Sequence, residues 1–198
     1  NALAGLINVK TNDPEDELAA SLKLGAAQFN TESLQAMVTG LLSDSVSGRL
    51  AAGRHQSAGY YENAFLGTKR NNAQDELSVR SKLRAEMSES WTMDFSLSHV
   101  DIDNGYDAFT LDNSRTTLSD EPGRDKQSSV AFAVDSTWEL ARFDLELIAG
   151  FADSDMEYSY DEDWTFAGIH PDGYSSTDSY IRNRETQSLE LRFISNDS

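Results

Sequence analysis

An all-β chain, an antiparallel transmembrane β-barrel present as an open partial barrel of about eight strands, is what the sequence predicts. Three observations predict it. Apolar and polar residues alternate along most of the chain, short and long polar links take turns between the alternating segments, and aromatic residues gather beside the short links. Trp91-Thr92-Met93-Asp94-Phe95-Ser96-Leu97-Ser98 alternates without a miss. A strand sends successive side chains to opposite faces, so such a segment has one oily face and one wet face. Lipid outside and water inside is the setting in which many long strands of this kind fit together.

In chain order, Gly5 to Thr11 reads as a short strand closed by Asn12-Asp13-Pro14. Leu18, Ala20, Leu22, Leu24 and Ala26 then alternate with small or polar residues up to a break at Asn30-Thr31-Glu32. Leu34 to Leu42 and Val46 to Ala52 flank the turn Ser43-Asp44-Ser45. Leu77, Val79, Leu83 and Ala85 oppose Arg80, Lys82 and Arg84, an arrangement that makes sense if the cationic face meets water. Val130, Phe132, Val134 and Trp138 oppose Ser129, Asp135 and Thr137. Phe143, Leu145 and Leu147 oppose Asp144 and Glu146, and Leu189, Leu191 and Phe193 oppose Ser188, Glu190 and Arg192. A helical stripe through Val130, Val134 and Trp138 is the weaker alternative, because Phe132 and Glu139 fall off it and the neighbouring segments read as strand.

Short links are expected near residues 43–45, 88–90 and 140–142, and long polar ones over 55–76, 101–126 and 154–184. Membrane barrels place short turns at one end and long loops at the other, whereas a soluble sandwich has no reason to do so. Trp91, Trp138 and Phe143 lie on the apolar parity beside short turns, where an aromatic belt would sit.

Composition narrows the function. The formal net charge of −18 excludes a basic nucleic-acid groove. No apolar run is long enough for a helical span, which leaves strand spans open because only every second residue need be apolar. Cysteine is absent, so disulfides and thiolate metal sites are excluded. His55, His99 and His170 show no metalloprotease spacing, and no nucleophile-elbow motif occurs. Asp101-Ile102-Asp103-Asn104-Gly105-Tyr106-Asp107 begins like a calcium loop but lacks the third ligand in step and the distal Glu. No catalytic residue, metal ligand or cofactor is therefore expected, and the acidic loops read as solvated.

Certain segments then become familiar. Gly5-Leu6-Ile7-Asn8-Val9-Lys10-Thr11 with Pro14 resembles the close of the plug domain of TonB-dependent outer-membrane receptors. Leu42-Ser43-Asp44-Ser45, Arg49-Leu50-Ala51-Ala52 and Gly59-Tyr60-Tyr61-Glu62-Asn63 look like a turn, a strand and the start of a loop in their barrel. Leu189 to Ser195 is similar to a later strand, and Asp161 to Arg182 to a loop of one branch. The resemblance implies a plug end over 1–14 and the N-terminal portion of the barrel over 15–198, in the outer membrane, with outer-membrane lipid around it. It implies active uptake of a scarce nutrient such as a ferric siderophore, driven by TonB through an N-terminal region outside this sequence. The start without Met and the polar end are expected of a piece of a longer chain.

On this reading Arg49, Arg80, Arg84, Asp94, Asp135, Glu146 and Arg192 face the lumen, and Tyr60, Tyr61, Tyr106, Trp164 and Tyr174 are the loop aromatics placed to touch a ligand. Two other readings remain open. One is an autonomous small barrel, a lipid-modifying enzyme or adhesion protein, and the other is a soluble β-rich binding module.

Overall fold

The computed structural model describes residues 10–196. The strand read over Gly5 to Thr11 lies mostly outside them, and Lys10 to Glu15 forms no strand. Eight long strands make one antiparallel sheet: β1 (Ala19–Ala27), β2 (Thr31–Ser43), β3 (Val46–Ser57), β5 (Gln74–Ser88), β6 (Trp91–Tyr106), β8 (Gly123–Glu139), β9 (Phe143–Asp161) and β10 (Thr177–Ser195). Each pairs with its neighbour in the chain, in the order β1-β2-β3-β5-β6-β8-β9-β10. Among the described residues β1 pairs only with β2 and β10 only with β9, so the sheet is an open arc. The alternative of a small barrel closed between its first and last strands is not formed. Two further strands, β4 (Glu62–Asn63) and β7 (Thr116–Thr117), make a small parallel sheet between two loops.

The registers show why the sequence alternates. Directly paired residues share a face, and one row across the sheet reads Gly48, Leu83, Phe95, Val134, Ala149 and Leu189. The next row toward the loops reads Leu50, Ser81, Leu97, Phe132 and Phe151. Apolar rows continue from Trp138 up to Val130 along β8, a band about 27 Å long along the strand at roughly 3.3 Å per residue. With strands tilted by about 40°, the band is roughly 20 Å tall, close to the apolar belt of a membrane barrel.

Burial is inverted relative to a water-soluble protein. No hydrophobic residue among those described is buried, while Leu189 is 76% exposed and Phe132 44% exposed. The buried side chains are polar, Thr39, Asn63, Thr117 and Thr165 among them. Burial of apolar area against other protein therefore does not hold this sheet together; the apolar face needs an apolar solvent. At the turn end Trp91 pairs with Trp138, their rings stacked 5.6 Å apart, and the Trp91 indole N–H donates to Ser136 Oγ at 2.8 Å. Phe143 and Phe193 pack against each other at 5.8 Å.

The short links fall where expected, at the turns following β2, β5 and β8. The long links are shorter than the sequence suggested, because strands run beyond the apolar band. Residues 55–57 and 74–76 belong to β3 and β5, 101–106 and 123–126 to β6 and β8, and 154–161 and 177–184 to β9 and β10. The loops proper are 58–73, 107–122 and 162–176. The end that carries them also holds the three-residue link 28–30, where Phe29 and Asn30 adopt positive φ of 63° and 50°. The incomplete calcium motif lies in β6 as far as Tyr106 and forms no ion-binding loop.

Phe95→Arg, at mid-band on the apolar face, is expected to destabilise the protein in lipid vesicles by about 2–4 kcal/mol, and Ser96→Arg on the other face by well under that. Denaturant titration of the vesicle-folded protein measures both.

Candidate functional site

The face opposite the apolar band is a charged surface. Register puts Arg84 beside Asp94 and Asp94 beside Asp135, Arg49 beside Lys82, Arg80 beside Ala51, and Arg192 beside Glu146. All the residues read as lumen-facing thus share one face. The Arg84 guanidinium grips Asp94 with two bonds, Nε to Oδ1 at 2.9 Å and Nη2 to Oδ2 at 2.7 Å. Arg192 lies between Glu190, at 2.7 Å, and Glu146, at 3.4 Å. Asp135 Oδ1 is buried with no hydrogen-bond partner, and its carboxylate is directly opposite that of Asp94.

Onto this face lies the segment that precedes β1. Asp13 pairs with Lys82 and lies 3.7 Å from Arg84, while Glu15 lies 3.5 Å from Arg49. The Glu15 N–H donates to Thr39 Oγ1 at 2.9 Å, whose hydroxyl donates to the Gly48 carbonyl at 3.0 Å. The Leu41 N–H closes the series on the Asp16 carbonyl at 3.2 Å. Between Thr11-Asn12 and the wall is a cavity of about 410 Å³, bordered by Arg49, Arg80, Lys82, Ser96 and Ser98. Of the cations that alternate with the apolar stripe of β5, Lys82 and Arg84 therefore have a specific use, since with Arg49 of β3 they hold the acidic segment before β1.

At the loop end the three long loops are joined. Strands β4 and β7 tie the first to the second, and the Asp120 N–H donates to the Thr165 carbonyl at 3.0 Å to tie the second to the third. Asp107 is the hub of the first junction. Its Oδ2 accepts from Asn71 Nδ2 at 2.6 Å, Thr117 Oγ1 at 2.8 Å and Asn63 Nδ2 at 3.3 Å. Stacked rings seal the layer: Phe65 on Phe166 at 4.5 Å, and Phe109 on Trp164 at 5.2 Å. In the third loop Asp161 Oδ1 accepts the N–H groups of Asp163 and Trp164, which fixes Trp164 at a positive φ of 60°. Burial pushes the Asp161 carboxyl up to about 6, opposed by the neighbouring Ser119 hydroxyl and reinforced by the Asp163 carboxylate. Ser119 Oγ and Asp161 Oδ2, though neighbours, find no partner at hydrogen-bonding geometry. Burial also raises Asp107, against its hydrogen bonds from Thr117, Asn63 and Asn71.

The loop aromatics singled out in the sequence share this end of the sheet but do not form one group. Tyr60 and Tyr61 cluster at 4.7 Å with Phe29 alongside, and the Arg115 guanidinium lies 5.6 Å over Tyr60. Asn72 Oδ1 accepts both of their N–H groups, and Gly59, at a φ of 74°, is so close to Asn72 that a side chain there would strike it. Tyr106 and Trp164 are joined through Phe109, and Tyr174 stands apart, edge-on to His170. Sequence reading missed Tyr158, Tyr160 and Tyr180, which fell within a supposed loop. They sit on the charged-face parity of β9 and β10, and the signal that would have found them is their even spacing from Met156 and Arg182.

No family model matches the chain, and no curated protein matches it. Among solved structures it resembles the ferric yersiniabactin uptake receptor FyuA from Yersinia pestis, with a TM-score of 0.78 and 14% identity over 95% of this chain and 29% of that one. It also resembles FpvAI, solved in complex with pyocin S2, with a TM-score of 0.68 and 13% identity over 91% of this chain and 26% of the other. At these identities what is shared is the fold, that of a partial barrel wall. The chain spans less than a third of either protein.

Two outcomes are expected. Arg84→Ala leaves Asp94 and Asp13 without their shared cation and lowers stability by about 2 kcal/mol, whereas Asp135→Asn relieves like-charge repulsion and is neutral or stabilising by up to about 1 kcal/mol; denaturant titration measures both. Asp161 titrates higher in the folded protein than at its ordinary 3.8, so the folded layer holds a proton that the unfolded chain has released. Stability contributed there is therefore lost as pH rises from about 4 through about 6. Melting of the loop layer, followed by Trp164 fluorescence, is expected to shift upward between pH 7 and pH 5, and Asp161→Asn to reduce that shift.

Proposed function

We propose that this chain is the N-terminal part of the barrel wall of a TonB-dependent outer-membrane receptor, with residues 1–14 the end of its plug and 15–198 barrel. The apolar face meets outer-membrane lipid, the charged face lines the lumen, and the joined loops form part of an extracellular vestibule. Such a protein takes up a scarce nutrient, a ferric siderophore, with energy delivered through TonB, and does no chemistry on its ligand. The observation that carries this reading is the segment from Lys10 to Asp16, held by Lys82, Arg84 and Arg49 on the wet face of a sheet whose other face is exposed hydrophobic residues. A chain that enters a barrel wall from a domain inside the barrel has this geometry.

A soluble binding module would bury an apolar core, and none is found among the described residues. A small autonomous barrel would close its ladder, and the described strands leave it open.

Loss of Tyr60 or Trp164 is expected to weaken ligand uptake by the full-length receptor about fivefold or more, with folding and membrane insertion intact. Uptake of a panel of radiolabelled ferric siderophores into cells that express Tyr60→Ala and Trp164→Ala variants tests this. Detergent-independent solubility of the full-length protein would overturn the receptor reading altogether.

A further inference from the structure

On the outward side of the sheet the apolar band stops abruptly toward the loops. Its last members are Leu97 on β6, Val130 on β8 and Phe151 on β9. The outward parity then passes to Asp153 and Glu185, and above them to two rows that cross four strands. Asp101, Ser128, Asp155 and Asn183 form the lower row. Asp103, Lys126, Glu157 and Ile181 form the upper. These side chains frame a cavity of about 310 Å³, floored by the backbone of Ile102, Gln127, Met156 and Arg182, residues of the opposite parity.

Height decides what this cavity meets. Its lower row stands one step above Val130, about 7 Å along the strand and, at a tilt of about 40°, roughly 5 Å higher. Headgroups add about 5–7 Å to each side of a hydrocarbon core, so the cavity opens at their level. At the turn end the same level carries Trp91 and Trp138, rings that suit any headgroup. Here it carries four carboxylates and one ammonium. Among the described residues only Asp103 of the four is paired, with Lys126 Nζ at 3.1 Å. Asp155 accepts from the Asn183 side-chain amide, which orients the carboxylate without neutralising it. Carboxylates that face a layer of phosphates repel it unless that layer brings a cation of its own.

We propose that this cavity seats the headgroup of a membrane lipid that carries a primary ammonium two carbons from its phosphate, a phosphoethanolamine. The site is bipolar, and its spacing fits. Neighbouring strands lie about 4.8 Å apart, the reach of a two-carbon link. A phosphate over β8 finds the Lys126 ammonium and the Ser128 hydroxyl, and the lipid's ammonium then falls over β9, on Asp155 and Glu157. Three N–H donors match those carboxylates. Ile181, 76% exposed on β10, gives the link an apolar surface. Asp103 holds Lys126 at the site, and Asp101 adds to the field that draws the ammonium in. The proposal rests on the reading of the apolar face as lipid-facing in an outer-membrane receptor, and it gives that face a preferred lipid.

The test is native mass spectrometry of the full-length receptor in detergent micelles doped with dioleoyl phosphatidylethanolamine, phosphatidylcholine or phosphatidylglycerol, read as lipid retained per protein. The ethanolamine lipid is expected to bind about fivefold more tightly than the choline lipid, whose trimethylated nitrogen donates no hydrogen bond. Asp155→Asn combined with Glu157→Gln should erase that preference. Lys126→Gln should weaken the ethanolamine and glycerol lipids alike. Glu185→Gln, one row below the cavity, should keep the preference. Equal retention of the ethanolamine and choline lipids by the wild type, or a preference that survives the double variant, overturns the seat. Retention of phosphatidylglycerol that rises with added magnesium, without an ethanolamine preference, assigns the cavity to a bridging divalent cation and overturns it too. Ferric-siderophore uptake that persists beside either result leaves the receptor reading standing, whereas a full-length protein that stays soluble without detergent brings down both.

Discussion

Backbone pairing is the constraint on which everything else here depends. In a lipid core no water is present to satisfy an N–H or C=O, so each must find its partner across a ladder. The six inner strands do so on both sides and β1 and β10 on one, over uninterrupted registers apart from irregularities near Leu41/Ser43 and Glu86/Ser88. Once the ladder is fixed, side chains have only two places to go, and the sequence assigns them with period 2. The inverted burial, with hydrophobic residues outside and polar ones inside, is the result.

The charged face and the loop layer solve different problems with similar materials. On the face, cations from β3 and β5 meet carboxylates from the segment before β1 and from β6. Between the loops, a buried carboxylate at Asp107 collects neutral amide and hydroxyl donors. The first arrangement uses paired charges where the surface is wet; the second avoids a second charge where the group is buried, at the cost of raising that carboxyl. The loops consequently form a single layer, in which Trp164 of the third loop is connected through Phe109 to the wall residue Tyr106.

Strand identity and facing were legible in the sequence because alternation is local. Leu83, Phe95 and Val134 on one side, and Arg84, Asp94 and Asp135 on the other, follow from counting by two. Loop lengths were not legible, because β9 continues above the apolar band with polar residues on both faces. Asp153, Asp155 and Glu157 lie on one, Met156, Tyr158 and Tyr160 on the other, and the hydropathy signal that marks a strand disappears. The β4–β7 pair and the Asp107 hub were invisible for another reason, since two-residue strands leave no periodic trace and the hub's partners Asn63 and Asn71 lie 44 and 36 residues away. The split of the loop aromatics into separate clusters likewise depends on contacts that spacing does not encode.

The way residues 13–16 lie on the wall has a mechanical consequence. Asp13 is fastened to β5, Glu15 to β3 and β2, and Asp16 to β2, one attachment after another along the chain. A pull from the N-terminal side loads these fastenings in series. The Asp13 pair bears the tension first and the later ones only after it yields, so the segment peels as a zipper opens. Had all its contacts been made to one strand running alongside, the same bonds would share the load in shear and resist a far larger force. This seam is therefore firm at rest and weak to traction from one direction.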